Sequence, residues 1–454
     1  MTIKPFIKKM SVHSLLIISL VQVQVEAAEN TKIYSLLDTY QMAVENDARF
    51  NAAHFDRKAG LEQLPQARSR LLPSISINAD VNYTDQETDY SGVGPFTSGQ
   101  RDFRSDNVGL KLTQPIYRKD RFEAYKQAKI SVRQADTRLA IAGQKLMLAL
   151  TRAYFDVLLA QDTVKLAKKQ RLTNKEKLAS AKKGLEVGSA VITDVHDTQA
   201  RYDLAVSREI NANHSEQIAR RTLSKLIGIY PQNLMELREH LPLIPSSPDK
   251  MEYWAELAAI NNLNVRFAQE TLEIASHEIE RSRGLAYPSL DLVLRYDNNS
   301  ADNSSFGVGT DTTEKMISLE AKIPLYSGGI VGSVVRQKTA ARQSARLQLD
   351  ATRSEARLLA EEAYLSIASV IQRIQALEQA LLSSKQSLAS TQRGFELGLR
   401  TSIDVLDAQQ QLFTAKNDLA KAKYDYLYNR LQLKAATGKL AQQDLEEINQ
   451  LMNN

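Results

Sequence analysis

The chain contains no cysteine. That excludes disulfides, thiolate-bound zinc, a cysteine nucleophile and a lipid-modified N-terminal Cys. Glycine and proline are scarce, 18 and 11 in 454 residues, so turns are few and the elements between them must be long. After Ala28 no run of about 18 apolar residues occurs, which excludes a spanning helix and a helical transporter. Charge of one sign is also missing. The formal net charge is +5, too little to argue for a nucleic-acid partner. The six histidines lack metal-ligand spacing on a helix, and no Gly-rich phosphate loop occurs. No cofactor, resident metal or enzymatic chemistry is therefore expected. What remains is ordinary for an ordered protein, with 43% hydrophobic and 24% charged residues.

The first residues read as a targeting segment. Lys4, Lys8 and Lys9 form a basic region, Val12 to Val23 is mostly apolar, and the small residues Ala27 and Ala28 follow. That is the layout of a secretory signal peptide over residues 1–28. An uncleaved anchor helix is the alternative, although the apolar stretch is short.

The remainder repeats itself. Ala153-Tyr154 recurs as Ala363-Tyr364, and Gly184-Leu185-Glu186-Val187-Gly188 as Gly394-Phe395-Glu396-Leu397-Gly398. Asp194-Val195-His196-Asp197 recurs as Asp404-Val405-Leu406-Asp407, and Gly228 as Gly438, all at one offset. One offset across separate motifs predicts two structural repeats, 29–240 and 251–454, joined by a linker at 241–250 within the Pro-rich stretch Pro231 to Pro248.

Each half reads alike. A first helix is expected at about Ile33 to Arg70, with a counterpart at Met251 to Arg283. Hairpins follow at 73–115 and 288–324. Ile75, Ile77, Ala79, Val81 and Tyr83 alternate with polar residues, as do Val108, Leu110 and Leu112, then Leu290, Leu292, Leu294 and Tyr296, then Ile317, Leu319 and Ile323. This period of two marks strands with one wet and one apolar face. Tyr83, Tyr90, Phe96, Phe103 and Tyr296 would form an interfacial girdle or cap the loops. Very long helices follow, about Arg118 to Lys183 and Gly332 to Arg393, each spanning roughly 90–100 Å. Gly143 inside the first reads as a close-packing position. Returning helices are expected at Ile192 to Ile227 and Thr401 to Ala436. The last carries a seam of Ile403, Leu406, Gln410, Phe413, Asn417, Ala420, Tyr424, Leu427 and Leu431, as in a coiled coil.

Strands in lipid must close into a barrel, and four strands cannot enclose a pore. Three copies would supply twelve, an even number within the known range. The expected architecture is an α+β membrane protein: a long α-helical coiled-coil tunnel plus a four-strand contribution to a shared 12-stranded trimeric β-barrel. The alternative is a non-conducting tether across the periplasm, whose hairpins never enter lipid.

The stretch Arg393-Gly394-Phe395-Glu396-Leu397-Gly398-Leu399-Arg400-Thr401-Ser402-Ile403-Asp404-Val405-Leu406-Asp407-Ala408 resembles the second-repeat signature of the TolC family of outer-membrane efflux ducts. Gly188-Ser189-Ala190-Val191-Ile192-Thr193-Asp194-Val195 resembles its first-repeat partner, and Tyr424 to Leu431 also fits. The resemblance covers essentially the whole chain after the leader, and the branch serving type I secretion and multidrug efflux fits best. It implies a homotrimer in outer-membrane lipid that extends into the periplasm. There, a periplasmic adaptor and an inner-membrane ABC or RND-type transporter open its tip.

Asp404 and Asp407, three residues apart, share one helix face. The plain reading is helix capping, since Asp is favoured near an N-terminus. The resemblance adds a pore constriction: two rings of three carboxylates that repel one another, favour cations and could hold a multivalent cation plug. It also implies a gate latch in which Arg400 reaches Thr193 and Asp194. A second latch in the family uses a tyrosine hydroxyl where this chain has Phe395, so that bond to Asp194 cannot form. The tip turns are set by Gly184, Gly188, Gly394 and Gly398.

Overall fold

The structure, a computed structural model, describes residues 32–89, 91, 98–303 and 308–452. The expected leader, Tyr90 and Phe96 lie outside the described residues. The chain divides into two compact units. One takes the chain up to Ala52 with Ile141–Asn262 and Ser354–Asn454; the other takes Ala53–Ala140 and Leu263–Arg353.

The expected first helix is broken. After strand β1 (Ile33–Tyr34) come α1 (Leu36–Asn46), α2 (Ala48–Leu61) and α3 (Gln63–Ser69). Asp47 causes the first break. Its backbone is extended, with ψ 114°, and its carboxylate accepts from Phe50 N at 2.7 Å. Pro65 explains the second, since proline lacks an N–H and is tolerated only in a first turn. The counterpart breaks at Asn262 into α6 (Met251–Asn261) and α7 (Leu263–Gly284), after the two-residue β4 (Asn233–Leu234). The other long elements fall near their expected bounds: α4 (Lys119–Glu186), α5 (Ile192–Ile227), α8 (Ile330–Glu396), α9 (Ser402–Ala436), then α10 (Gln442–Asn449).

In the first unit, the glycines ending the two returning helices meet the two helix breaks. Gly228 is left-handed and a Cβ there would lie 2.8 Å from Asn46 Cγ; Gly438 is left-handed and a Cβ would lie 2.1 Å from the Asn261 carbonyl. Only glycine meets both demands. The Pro-rich stretch is stapled down. Strand β1 pairs in parallel with β4, the Tyr154 hydroxyl lies 3.0 and 2.9 Å from the Tyr34 and Met235 carbonyls, and the Tyr426 hydroxyl accepts from Ile244 N at 2.7 Å. Tyr154, Phe155, Leu158, Tyr426 and Leu427 are fully buried here. On α9 the seam residues Leu406, Tyr424, Leu427 and Leu431 are buried, and so are Ala408, Ala415, Leu419, Ala422, Tyr426 and Leu433 beside the seam. Of that seam, Gln410, Phe413, Asn417 and Ala420 are only half-buried. Gly143 packs loosely, a Cβ there reaching Phe50 at 3.7 Å, so the close-packing expectation fails.

The second unit holds an antiparallel sheet of β2 (Ser74–Thr88), β3 (Gly99–Tyr117), β5 (Ser289–Ala301) and β6 (Thr310–Lys322), in the order β2-β3-β5-β6. Its register lines up the expected apolar positions. Ile75, Leu112, Leu294 and Ile317 form one row; Ile77, Leu110 and Tyr296 lie in the next. This face is open in the single chain, with Ile77 73% and Ile317 76% exposed. Tyr83 and Tyr296 stand on it, whereas Phe103 pairs with Thr84 on the polar face. Strands β2 and β6 are unpaired edges. Below the sheet, Arg118 grips Asp291 with both arms of its guanidinium, Nε to Oδ1 at 3.0 Å.

Candidate gate at the two helical turns

The turns α4–α5 and α8–α9 both lie in the first unit. They close in the same way. Ser189 N and Ala190 N donate to the Gly184 carbonyl at 2.7 and 3.1 Å; Leu399 N and Arg400 N donate to the Gly394 carbonyl at 2.8 and 3.2 Å. Gly188 and Gly398 both have φ 75°. This is a Schellman-type stop, which needs a left-handed residue at the second glycine. Gly184 and Gly394 serve differently: a Cβ would lie 2.9 Å from Ala190 Cβ and 2.8 Å from Arg400 Cγ. Backbone conformation thus calls for glycine at 188 and 398, and side-chain crowding disfavours a Cβ at 184 and 394.

The helix starts beyond the turns differ. On α9, Thr401 and Asp404 cap one another: Asp404 N donates to Thr401 Oγ1 at 3.2 Å and Thr401 N to Asp404 Oδ2 at 2.9 Å. Thr401 Oγ1 also donates to Asp404 Oδ2 at 3.0 Å. Hydrogen bonds from the Thr401 amide and hydroxyl, with nearby Arg400, hold the Asp404 carboxyl below the ordinary carboxylate range. On α5 the matching Val191 makes no side-chain cap. The capping reading of Asp404 is therefore realised.

Asp407 sits one turn on, exposed, and is engaged by Arg201 of α5, whose Nη1 lies 2.5 Å from Oδ1. Arg201 was not among the expected site residues. The usable signal was asymmetry between the halves: Arg201 follows Asp197 by four residues, where the second half has Gln411. Further up, Gln410 accepts from both Gln170 and Arg208, joining α4, α5 and α9.

Within the single chain, Arg400 is exposed and makes no hydrogen bond to Thr193 or Asp194. Thr193 is exposed and Asp194 half-buried; the Asp194 carbonyl accepts from Thr198 Oγ1 at 2.7 Å. Phe395 lies under Lys177, whose Nζ is 4.5 Å from the ring centroid, so this position holds a cation–π contact. Val187, Leu397 and Leu399 are each more than 70% exposed at the turns. No cluster of three metal-binding side chains occurs among the described residues.

These turns, long antiparallel helices and a sheet with one apolar face are the parts of an outer-membrane channel subunit. The profile of the outer membrane efflux protein family matches residues 39–229 and 254–439, well over half of the chain. The chain is 31% identical to outer membrane protein TolC of Vibrio cholerae over 419 residues, covering 91% of this chain and 93% of that one. It is 30% identical to the alkaline protease secretion protein AprF of Pseudomonas aeruginosa, covering 92% and 88%. The crystal structure of the Campylobacter jejuni CmeC outer membrane channel superposes with a TM-score of 0.77 at 16% identity, covering 92% of this chain and 90% of that one. The chain belongs to the outer membrane efflux protein family, and its place is the outer membrane, extending into the periplasm.

Proposed function

We propose that three copies of this chain form a passive exit duct for type I protein secretion and small-molecule efflux. The observation that carries this reading is the sheet: one continuous apolar face and two unpaired edges, β2 and β6. Edges left open in hydrocarbon would strand backbone groups, so β6 of one copy pairs with β2 of the next until twelve strands close. The long helices continue the barrel as a tunnel. The two-repeat organisation gives each copy two hairpins and two helix pairs. AprF, named for alkaline protease secretion, supports protein cargo; the family's own description supports efflux.

The two turns form the gate. Asp404 and Asp407, repeated three times, ring the constriction and favour cations. Arg201 holds Asp407 within each copy, and Arg400, exposed and without a hydrogen bond to Thr193 or Asp194 of its own chain, reaches those residues of a neighbouring copy. Charge-assisted hydrogen bonds of this kind contribute about 1.5–3 kcal/mol each, weak enough for a docking partner to break. That partner is a periplasmic adaptor with an inner-membrane ABC or RND-type transporter, which supplies the energy. The test is export in cells lacking the chain. Restoration by wild type and loss by a variant with Pro at Ile77 and Ile317, which breaks the strands, supports the duct; equal export without the chain removes it.

A further inference from the structure

On the polar face of the sheet, Lys111 of β3 stands directly opposite Arg295 of β5. Like charges placed opposite one another across strands destabilise a sheet unless something compensates. Little does here. Lys111 has no hydrogen bond or ion pair among the described residues. Arg295 meets Glu320 only at 3.9 Å, beyond hydrogen-bond length, and its Nε is buried without a partner. One row outward stand Asp297 and, opposite it on β6, Glu314; Asp297 is folded over Gly109, where a Cβ would lie 2.2 Å from Asp297 Oδ1, so the glycine makes room for that carboxylate beside the strand. The row inward holds Val293 and Thr113, both uncharged, and Asp291, two rows inward, is taken by Arg118. The flanking position in the same row is Ser76, small and uncharged.

We propose that Lys111 and Arg295 form an oxyanion site on the wall of the duct, for phosphate-bearing or polycarboxylate groups. The exposed end of the guanidinium offers planar N–H donors, and the ammonium a second charge from the adjacent strand, a combination suited to two oxygens of one anion. The inference rests on the duct reading for one point only: closure of the barrel turns this polar face toward water. Lipid headgroups then meet the opposite, apolar face, so the ligand arrives in solution. The site holds the sign opposite to the proposed Asp404 and Asp407 rings, which gives anionic cargo a cationic foothold of its own.

The test uses the purified full-length protein in detergent with inorganic pyrophosphate, read by calorimetry and by phosphorus NMR line width. Saturable binding is expected, weakened at least tenfold by Lys111→Gln and by Arg295→Gln, and retained by Lys111→Arg. Ser76→Glu, which places a carboxylate in the same row, should abolish binding without removing either cation. Absence of saturable binding, or equal binding in wild type and all variants, overturns the proposal. Channel currents from the same preparations separate the two readings: binding without conduction defeats the duct, and conduction without binding defeats the site.

Discussion

Arg201 and Asp407, 206 residues apart in sequence, meet at 2.5 Å between α5 and α9. One of the two carboxylates proposed for the constriction is thereby partly neutralised within its own chain, and the two helix pairs are tied together beside the turns. The other, Asp404, spends its oxygens on capping α9. The charges proposed for the gate and the geometry of the helices thus share the same atoms.

Arg201→Ala should free Asp407. The expected outcome is a larger single-channel conductance and a higher preference for potassium over chloride. Asp407→Asn should lower that preference and still raise conductance, because the tie is lost in both. Reversal potentials in a salt gradient measure the difference.

Arg400→Ser should raise conductance through a different contact. With Arg201→Ala the effects should add, since each removes a separate tie. An unchanged closed pore in Arg400→Ser removes the intersubunit latch.

Gly398→Ala forces a β-carbon into a backbone with φ 75°. The turn should lose about 1–2 kcal/mol. Gly332→Ala, where the nearest outside atom is the tip of Arg336 at 3.5 Å, should be tolerated. Protease susceptibility at the turns distinguishes the two.

Glu123 is buried between α4 and α7. Burial alone would raise its carboxyl; hydrogen bonds from Lys119, Lys126 and His277 overcome this and hold it at about 2. A depressed carboxyl contributes stability above its unfolded value of about 4.3. That contribution is lost as pH falls from there through about 2. Glu123→Gln should flatten this part of the acid-denaturation profile and cost about 1–3 kcal/mol at neutral pH.

Much of this was legible in the sequence because it rests on period. The alternation of Ile75 to Tyr83 and of Ile317 to Ile323 anticipated a two-faced sheet, and α5 begins and ends where expected. Gly188, Gly398, Gly228 and Gly438 were legible because left-handed turns leave few other choices. Breaks set by single side chains were not. Asp47 interrupts its helix through a local hydrogen bond to Phe50 N, and Asn262 sits at its break with its side chain donating to the distant Ala436 carbonyl; periodicity registers neither. Arg201 was hidden for a related reason: its partner lies in the other half, and only the mismatch with Gln411 hinted at a special role. The seam on α9 was half right, because small residues such as Ala415 and Ala422 bury more deeply than the larger Phe413 that marked it.

Single-channel recording tests most directly whether the trimer conducts and is gated by carboxylates. The purified protein is inserted in a planar bilayer, and a trivalent cobalt complex is added to each side in turn. Small cation-selective steps are expected, blocked from the side of the helical turns, with block abolished in Asp404→Asn/Asp407→Asn. A silent bilayer with insertion independently confirmed, or block that survives that double substitution, would contradict it.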